Sequence, residues 1–403
     1  MRFAPALCLL ALFGAYEAVA AQPQPANPYG LASEPSAGPE RDAFAKEDQS
    51  SPFAEAHTVE QVLYFRGLRA KYGQPGEAHT LPPDVDADGR PLWFDKATNR
   101  DYLAEIVAAF FANERFDKLE KLFDDWNSPT ELRADGRWKL TAFDDGIQRQ
   151  FHNADGWDAA YRRIQAWRAQ SPKSRAAALA EAIYWLGYAW DARGQGFAAT
   201  VTPEGWKLFA ERLDKAEAAL VESKAYAGDS PLWDYLYIEV GEGRSWPIPQ
   251  LLEAFKAGYA KQKSFVALYS TTVTHLAPKW GGNWKLVDQF IKDAVTATKQ
   301  AEGLSMYARL YMFAAECDCG DVEILRDTLA TWPELKRSFE DLVRLYPHSG
   351  WYSNKFALYA CLAGDKATYL DLRRRLGGAT MPWAWPHNHS FDLCEHQFAA
   401  TPL

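Results

Sequence analysis

The chain has 403 residues, which is enough for one large domain or two smaller ones with a substantial core. Apolar residues make up 48% of the chain and aromatic residues 14%, and this composition excludes a largely disordered protein. The formal net charge of −9 repels nucleic acid and anionic lipid headgroups, so we expect neither as a partner.

The first residues have the composition of a cleaved targeting segment. Arg2 supplies a positive start, Ala4 to Ala15 is apolar, and Ala18-Val19-Ala20 has the small-x-small pattern that a signal peptidase recognises. The apolar run is too short to span a membrane, and no later stretch is long enough, so no membrane span is expected. We predict a signal peptide at residues 1–21 and an exported protein, either periplasmic or secreted.

Two segments without a steady helical period follow. Residues 22–56 are rich in Pro, Ala, Gln, Glu and Ser, which predicts a disordered linker. Residues 57–100 are predicted to form an irregular N-terminal segment that contains an acidic loop. Residues 101–398 are predicted to form a helical-repeat domain.

The acidic loop carries the sharpest motif in the chain. Its carboxylates are Asp84, Asp86, Asp88 and Asp95. With Gly89 for the sharp bend, this spacing predicts a calcium loop, in which hard oxygen ligands surround the ion. However, Pro82-Pro83 stands where such a loop has its entering helix, and Asp95 replaces the usual bidentate Glu. The alternative is a polar Asp-Gly turn, and calcium is the only cofactor that the sequence suggests.

From Tyr102 onward apolar residues recur three and four apart, which indicates amphipathic helices. The clearest unit is Trp332 to Leu376, where Pro follows Trp at a helix start and Tyr346-Pro347 ends the helix. Further helices are predicted at about 138–151, 156–169 and 175–193. We therefore predict an all-α fold, an irregular tetratricopeptide-like α-solenoid of roughly seven stacked helix pairs.

A Gly-Gly turn separates two of these helices. Its residues Trp280, Gly281, Gly282 and Trp284 predict a tight backbone turn that is covered by aromatic rings and opens the next helix.

Several short motifs, taken in order, resemble a known family. They are Arg115-Phe116-Asp117-Lys118-Leu119-Glu120, Ala192-Arg193-Gly194, the Pro-x-Trp-Gly-Gly turn, Tyr307-Ala308-Arg309, and Tyr359-Ala360-Cys361 before Gly364-Asp365-Lys366. Together they resemble the bacterial group called domain-of-unknown-function family 4034, over roughly Leu103 to Phe398. The resemblance implies a tetratricopeptide-like helical fold and supplies no activity and no catalytic residues.

Export makes the cysteines informative, because an oxidising compartment permits disulfides. Four cysteines remain after the leader, Cys317, Cys319, Cys361 and Cys394, and they allow three pairings. We predict a Cys361–Cys394 disulfide, since the chain between them must fold back over the last helix pair. The alternative is four buried thiols.

No catalytic signature is present, neither a Gly-x-Ser-x-Gly elbow nor a His-Glu-x-x-His helix. The pairs Asp124-Asp125 and Asp144-Asp145 are adjacent in sequence and so diverge by about 100° on a helix. We interpret both pairs as solvated helix faces. The His-rich segment from Pro386 to His396 lacks the ligand spacing of a known zinc site, and a loop packed by tryptophans is the preferred interpretation.

Two functional hypotheses remain. The first is a binding protein that holds a protein or peptide partner in a concave groove of stacked helices. The second is an enzyme or glycan-binding protein that uses an aromatic-lined pocket in a helical cup. An open groove favours the first hypothesis, and a closed arrangement with a deep acidic pocket favours the second.

Overall fold

The computed structural model describes residues 102–133, 135–151, 156–194, 198–316, 322–347, 349–376, 384–385 and 391–398. The predicted signal peptide, linker and N-terminal segment lie outside the described residues, and so does the calcium loop with Asp84, Asp86, Asp88 and Asp95. These assignments stay predictions. The other two cysteines, Cys317 and Cys319, also lie outside the described residues.

The described part of the chain is helical throughout, apart from one isolated β-bridge. The helices of the first half are α1 Tyr102–Ala112, α2 Phe116–Trp126, α3 Leu140–Arg149, α4 Gly156–Gln170, α5 Arg175–Arg193, α6 Pro203–Ala227, α7 Pro231–Gly243 and α8 Ile248–Lys261. Those of the second half are α9 Val266–His275, α10 Trp284–Glu302, α11 Ser305–Glu316, α12 Ile324–Asp327, α13 Trp332–Leu345, α14 Gly350–Leu362, α15 Lys366–Leu376 and α16 Phe391–Phe398. The all-α helical-repeat prediction is confirmed.

Local sequence explains where the helices begin. The side chain of Ser174 accepts a hydrogen bond from the backbone N–H of Ala177 and caps α5. Thr202 caps α6 in the same way, and Pro203 occupies its first turn, where a missing N–H costs nothing. Trp332-Pro333 begins α13, and Tyr346 lies just beyond its last residue, as the predicted repeat unit requires.

The helices form an inner and an outer layer. Inner helices are buried on nearly all sides: ten of thirteen residues of α7 and eight of ten residues of α9 are buried. Outer helices bury one stripe only, with two of fourteen residues buried in α8 and four of fourteen in α13. An open concave groove would leave one face of the inner helices exposed to water. In the described part of the chain that face of α7 and α9 is covered instead.

The loop between α2 and α3 is part of this covering. A bridge between Leu132 and Trp138 shapes the loop, and the N–H of Arg133 donates to the carbonyl of Arg137 at 2.7 Å. Gly136 has a φ of +78°, and a Cβ at this position would overlap the ring of Tyr346. Glycine is therefore required both for the backbone conformation and for the close approach of α13.

The guanidinium of Arg309 on α11 holds this loop. Arg309 is 1% exposed, and its Nη2 donates to the carbonyl oxygen of Asp135 at 2.9 Å. The guanidinium lies over the rings of Tyr346 and Tyr352, 4.9 and 5.5 Å from their centroids. Tyr352 also donates its hydroxyl to the same Asp135 carbonyl at 3.1 Å. The loop after the second helix is thus tied to helices near the C-terminus.

The Gly-Gly turn lies between α9 and α10. Pro278–Trp280 forms a short 3-10 turn, Gly281 has a φ of +89°, and Asn283 caps α10 through the N–H groups of its first turn. A Cβ on Gly282 would overlap the carbonyl oxygen of Leu276. Trp280 and Trp284 are half-buried and pack against the core.

The C-terminal helix α16 is attached to α14 by a disulfide between Cys361 and Cys394, the pair that the sequence suggests. Both cysteines are 2% exposed. Polar contacts support the attachment, because Glu395 accepts from the hydroxyl of Tyr369 at 2.5 Å and from Arg373 at 3.1 Å. Trp385 donates its indole N–H to Asn354 of α14 at 2.9 Å. Residues 386–390 of the His-rich segment lie outside the described residues, so the packing of that segment stays a prediction.

Replacing the buried guanidinium tests the loop attachment. Arg309→Met leaves the Asp135 carbonyl and the neighbouring Glu302 without their cation, and we expect the free energy of unfolding to fall by about 3–5 kcal/mol. Arg337→Met, on an exposed position of α13, is the matched control and should change it by less than about 0.5 kcal/mol. Urea denaturation measures both, and equal effects in the two variants would contradict a special role for Arg309.

Candidate functional site

A pocket lies between α3, α7 and α9, with further walls from α11 and from the loop that Arg309 holds. The empty space between its walls, counted out to the open mouth, is about 720 Å³. Its lining combines three carboxylates, several hydroxyls and three aromatic rings: Asp144, Asp145, Glu239, Thr141, Ser270, Thr271, Thr274, Tyr235, Phe265 and Phe313. Arg137 is the one basic side chain among the described lining residues.

A close helix contact positions the first carboxylates. Gly146 on α3 lies so near α1 that a Cβ would stand 2.5 Å from the carbonyl oxygen of Ala104. Asp144 precedes Gly146 by two residues and so lies about 200° away around the helix. The face with Gly146 packs on α1, and the opposite face with Asp144 lines the pocket.

Asp144 is a buried carboxyl group. Its side chain is 6% exposed, and its Oδ1 accepts one hydrogen bond from Gln148 Nε2 at 2.9 Å. Burial, together with the negative charges of Asp145 and Glu239, raises the pKa of Asp144 to about 8. Its second oxygen has no hydrogen-bond partner in the described part of the chain. Asp144 is therefore mostly neutral at pH 7.

Glu239 on α7 has a similar environment. It is 6% exposed, and its Oε1 accepts a hydrogen bond from the hydroxyl of Thr271 on α9. Burial raises the pKa of Glu239 to about 7, and the hydrogen bond from Thr271 opposes this shift. Among the described residues, no donor reaches its Oε2. The pocket thus presents two nearly buried carboxyl groups, each with one oxygen unused.

Among the described lining residues, the one cation does not compensate these groups. Arg137 Nε lies 2.7 Å from Asp135 Oδ2, and the N–H of Arg137 donates to Oδ1 of the same carboxylate at 3.0 Å. Burial alone would raise the pKa of Asp135, but the guanidiniums of Arg137, Arg133 and Arg309 hold it below its ordinary value. The positive charge of Arg137 is therefore used to hold the loop. Buried carboxylates are normally paired, so Asp144 and Glu239 are exceptional.

A histidine lies one helical turn beyond Thr271. His275 Nδ1 is 2.9 Å from the carbonyl oxygen of Thr271, and Nε2 is 3.2 Å from Oε2 of Glu242. Because Nδ1 faces a carbonyl oxygen, it carries the ring proton. Burial lowers the pKa of His275 to about 4, so the imidazole is neutral at pH 7. His275 therefore supplies no positive charge to the neighbouring acids.

One interpretation made from the sequence is wrong. Asp144-Asp145 was expected on a solvated helix face, yet Asp144 is buried and both residues line one pocket. The pair Asp124-Asp125 behaves as expected, because Asp124 contacts Arg175 at 2.8 Å and Asp125 contacts Lys121 at 2.8 Å on the surface. Gly146 was the signal in the sequence that could have indicated this burial, because it marks the side of α3 that packs closely against α1.

Two further findings concern metal binding and membrane spans. In the described ranges, no group of three or more His, Cys, Asp or Glu side chains could hold a metal ion. Within those same ranges, every helix is too short or too polar to cross a membrane.

Together the fold and the pocket define an all-α helical-repeat protein with a buried acidic site. Residues 103–228 match the family model described as a domain of unknown function (DUF4034). The match confirms the resemblance seen in the motifs from α1 to the end of α6, and beyond residue 228 the resemblance stays a prediction. Comparison with curated proteins and with solved structures found no match.

Neutralising Asp144 should make the protein more stable at alkaline pH. Folded Asp144 keeps its proton to about pH 8, whereas the unfolded carboxyl releases it near pH 4, so wild-type stability falls as pH rises between these values. We expect Asp144→Asn to lose most of this decline and to gain at least about 1 kcal/mol at pH 8.

Urea denaturation from pH 5 to pH 9 measures this effect. The control is Glu211→Gln, an exposed carboxylate on α6, which should stay within about 0.5 kcal/mol of wild type. Parallel curves of unfolding free energy against pH for wild type and Asp144→Asn would show that burial does not raise the pKa of Asp144.

Proposed function

We propose that this chain is an exported binding protein that holds a protein or peptide partner by taking one of its side chains into the acidic pocket. The observation that carries the proposal is the pair Asp144 and Glu239, two nearly buried carboxyl groups with unused oxygens and no partner cation among the described residues. Such groups cost stability in the free protein, and natural proteins retain a cost of this kind mainly at functional sites.

The burial of the inner helices shapes the proposal. A peptide that lay along a concave groove would need an exposed inner face, and α7 and α9 are mostly buried. A pocket between them accepts a single side chain or a small molecule more readily than an extended segment. We therefore place the partner at the mouth of the pocket, with one anchoring group inside.

Export is a separate part of the proposal. It rests on the leader at residues 1–21, with its positive start and small-x-small site. The Cys361–Cys394 disulfide supports it, because disulfides persist in oxidising compartments outside the cytosol.

A second candidate is an enzyme or a glycan-binding protein. The aromatic residues Tyr235, Phe265 and Phe313 beside carboxyl groups are the features that sugar sites use. Two carboxyls with different raised pKa values also suit general acid–base chemistry, in which one group is protonated and the other ionised. This candidate predicts turnover of a substrate, whereas the first predicts a stable complex.

A variant that fills the pocket tests whether the partner binds there or elsewhere on the surface. Ser270 is half-buried in the pocket wall, so Ser270→Trp should block the pocket, and Thr296→Trp on exposed α10 is the control. Each mature variant is immobilised and exposed to the exported proteins of its source cell. We expect one partner to be retained at least about tenfold less by Ser270→Trp than by wild type or the control.

Equal retention by Ser270→Trp would overturn the pocket as the binding site, provided that circular dichroism shows the variant to be folded. A panel of chromogenic glycosides is tested in parallel with the same proteins. Turnover by wild type that is lost in Asp144→Asn would replace the binding proposal with the second candidate.

A further inference from the structure

We propose that the group that enters the acidic pocket is an organic cation, a protonated amine or a guanidinium, and that its binding releases a proton from the pocket. This inference rests on the proposed function, because it takes the pocket to be the binding site. It names the chemical class of the ligand and one measurable consequence of binding.

The unused carboxyl oxygens are the first argument. Asp144 Oδ1 is occupied by Gln148 and Glu239 Oε1 by Thr271, while the second oxygen of each has no hydrogen-bond partner among the described residues. Both residues are buried, each with a relative exposure of 6%. Once ionised, a carboxylate is an acceptor only, so a group that completes the ionised sites must be a donor. An ammonium or guanidinium donates several N–H bonds and supplies the missing charge as well.

The other walls of the pocket favour an organic cation over a metal ion. Tyr235, Phe265 and Phe313 contribute aromatic rings, which attract organic cations through their negative faces. Among the described residues the acidic side chains do not form a group of three or more that could hold a metal. A hydrocarbon stem that carries the charge would contact the aromatic wall and Leu232.

Among the described residues, the groups around Asp144 leave it without a counter-ion. Asp145 on α3 and Glu239 on α7 are both acidic, and Gln148 is neutral. Arg137, from the loop, has its own partner Asp135 at 2.7 Å. On the same helix, Arg149 lies 3.4 Å from Glu105 of α1.

In the part of the chain that the structure describes, the groups around Glu239 are also neutral or negative. Tyr235 and Glu242 are on α7 itself, and the pKa of Tyr235 is raised by burial and by the surrounding carboxylates. From α9 come the Thr271 hydroxyl and His275, which is neutral because burial lowers its pKa to about 4. Lys261, from neighbouring α8, is bound to Asp234 at 2.7 Å on another part of α7.

The proton release follows from this environment. At pH 7 Asp144 is mostly protonated and Glu239 is half protonated, since burial raises their pKa values to about 8 and about 7. A cation within about 4–6 Å favours the ionised form and lowers a carboxyl pKa by about 1–3 units. The bound cation should therefore displace a proton, and its affinity should rise as pH increases from 5 to 8.

The probes are n-butylamine and its neutral analogue 1-butanol, titrated calorimetrically into the mature protein at pH 7 in phosphate and in HEPES. Binding that releases a proton gives a different observed enthalpy in the two buffers. We expect butylamine to bind with this buffer dependence, to bind at least about tenfold more tightly at pH 8 than at pH 6, and 1-butanol not to bind. Asp144→Asn and Glu239→Gln should each weaken butylamine at least about tenfold, and the control Glu211→Gln should not.

Titrations with two basic peptides identify the source of the cation. Blocked Gly-Lys-Gly and Gly-Arg-Gly peptides are compared with free butylamine, and the same peptide with norleucine is the neutral control. Tighter binding of a basic peptide points to a partner's side chain, and tighter binding of butylamine points to a free amine. Both results support the cation inference.

The inference is overturned if butylamine does not bind, or if it binds equally well to wild type and to both carboxyl variants. The experiments distinguish a failure of the cation inference from a failure of the proposed function. If Ser270→Trp loses the partner while wild type ignores amines, the pocket is the site and the ligand class is wrong. If Ser270→Trp blocks butylamine but retains the partner, the cation inference stands and the partner binds elsewhere.

Discussion

The buried guanidinium of Arg309 holds together parts of the chain that helix stacking alone would leave apart. Its hydrogen bond to the carbonyl of Asp135 spans 174 residues of sequence, and the Tyr352 hydroxyl reaches the same oxygen across 217. A buried charge of this kind is expensive unless it is well surrounded, and here two tyrosine rings and Glu302 surround it.

The acidity of the pocket follows from the same contact. The loop that Arg309 holds carries Arg137 to the pocket wall, and Asp135 in that loop binds the Arg137 guanidinium. The cation that could have neutralised Asp144 is thereby committed to the loop. The Arg137–Asp135 ion pair therefore both attaches the loop and leaves the carboxyl group of Asp144 without the charge of Arg137.

Sequence predicted the helices well and the pocket poorly, and the reason is physical. Helix boundaries such as Trp332 and Arg175 depend on local periodicity, caps and prolines, which a single sequence contains. The environment of Asp144 depends on which side of α3 meets α1, and that is decided by Gly146 against Ala104, over forty residues away in sequence. Adjacent acids look solvated in sequence, and only the packing of α3 on its neighbours shows that one of them is buried.

The pocket also explains how the site can be both buried and ready to bind. Neutral carboxyl groups can be buried at modest cost, whereas two unpaired carboxylates could not be. The raised pKa values of Asp144 and Glu239, about 8 and about 7, reduce the negative charge of the free pocket at pH 7. An arriving cation would exchange a proton for itself, so the net charge of the pocket would change little on binding. The organic cation then competes with a proton for the carboxyl groups. The aromatic rings would contact the stem of the organic cation and so favour it over the proton.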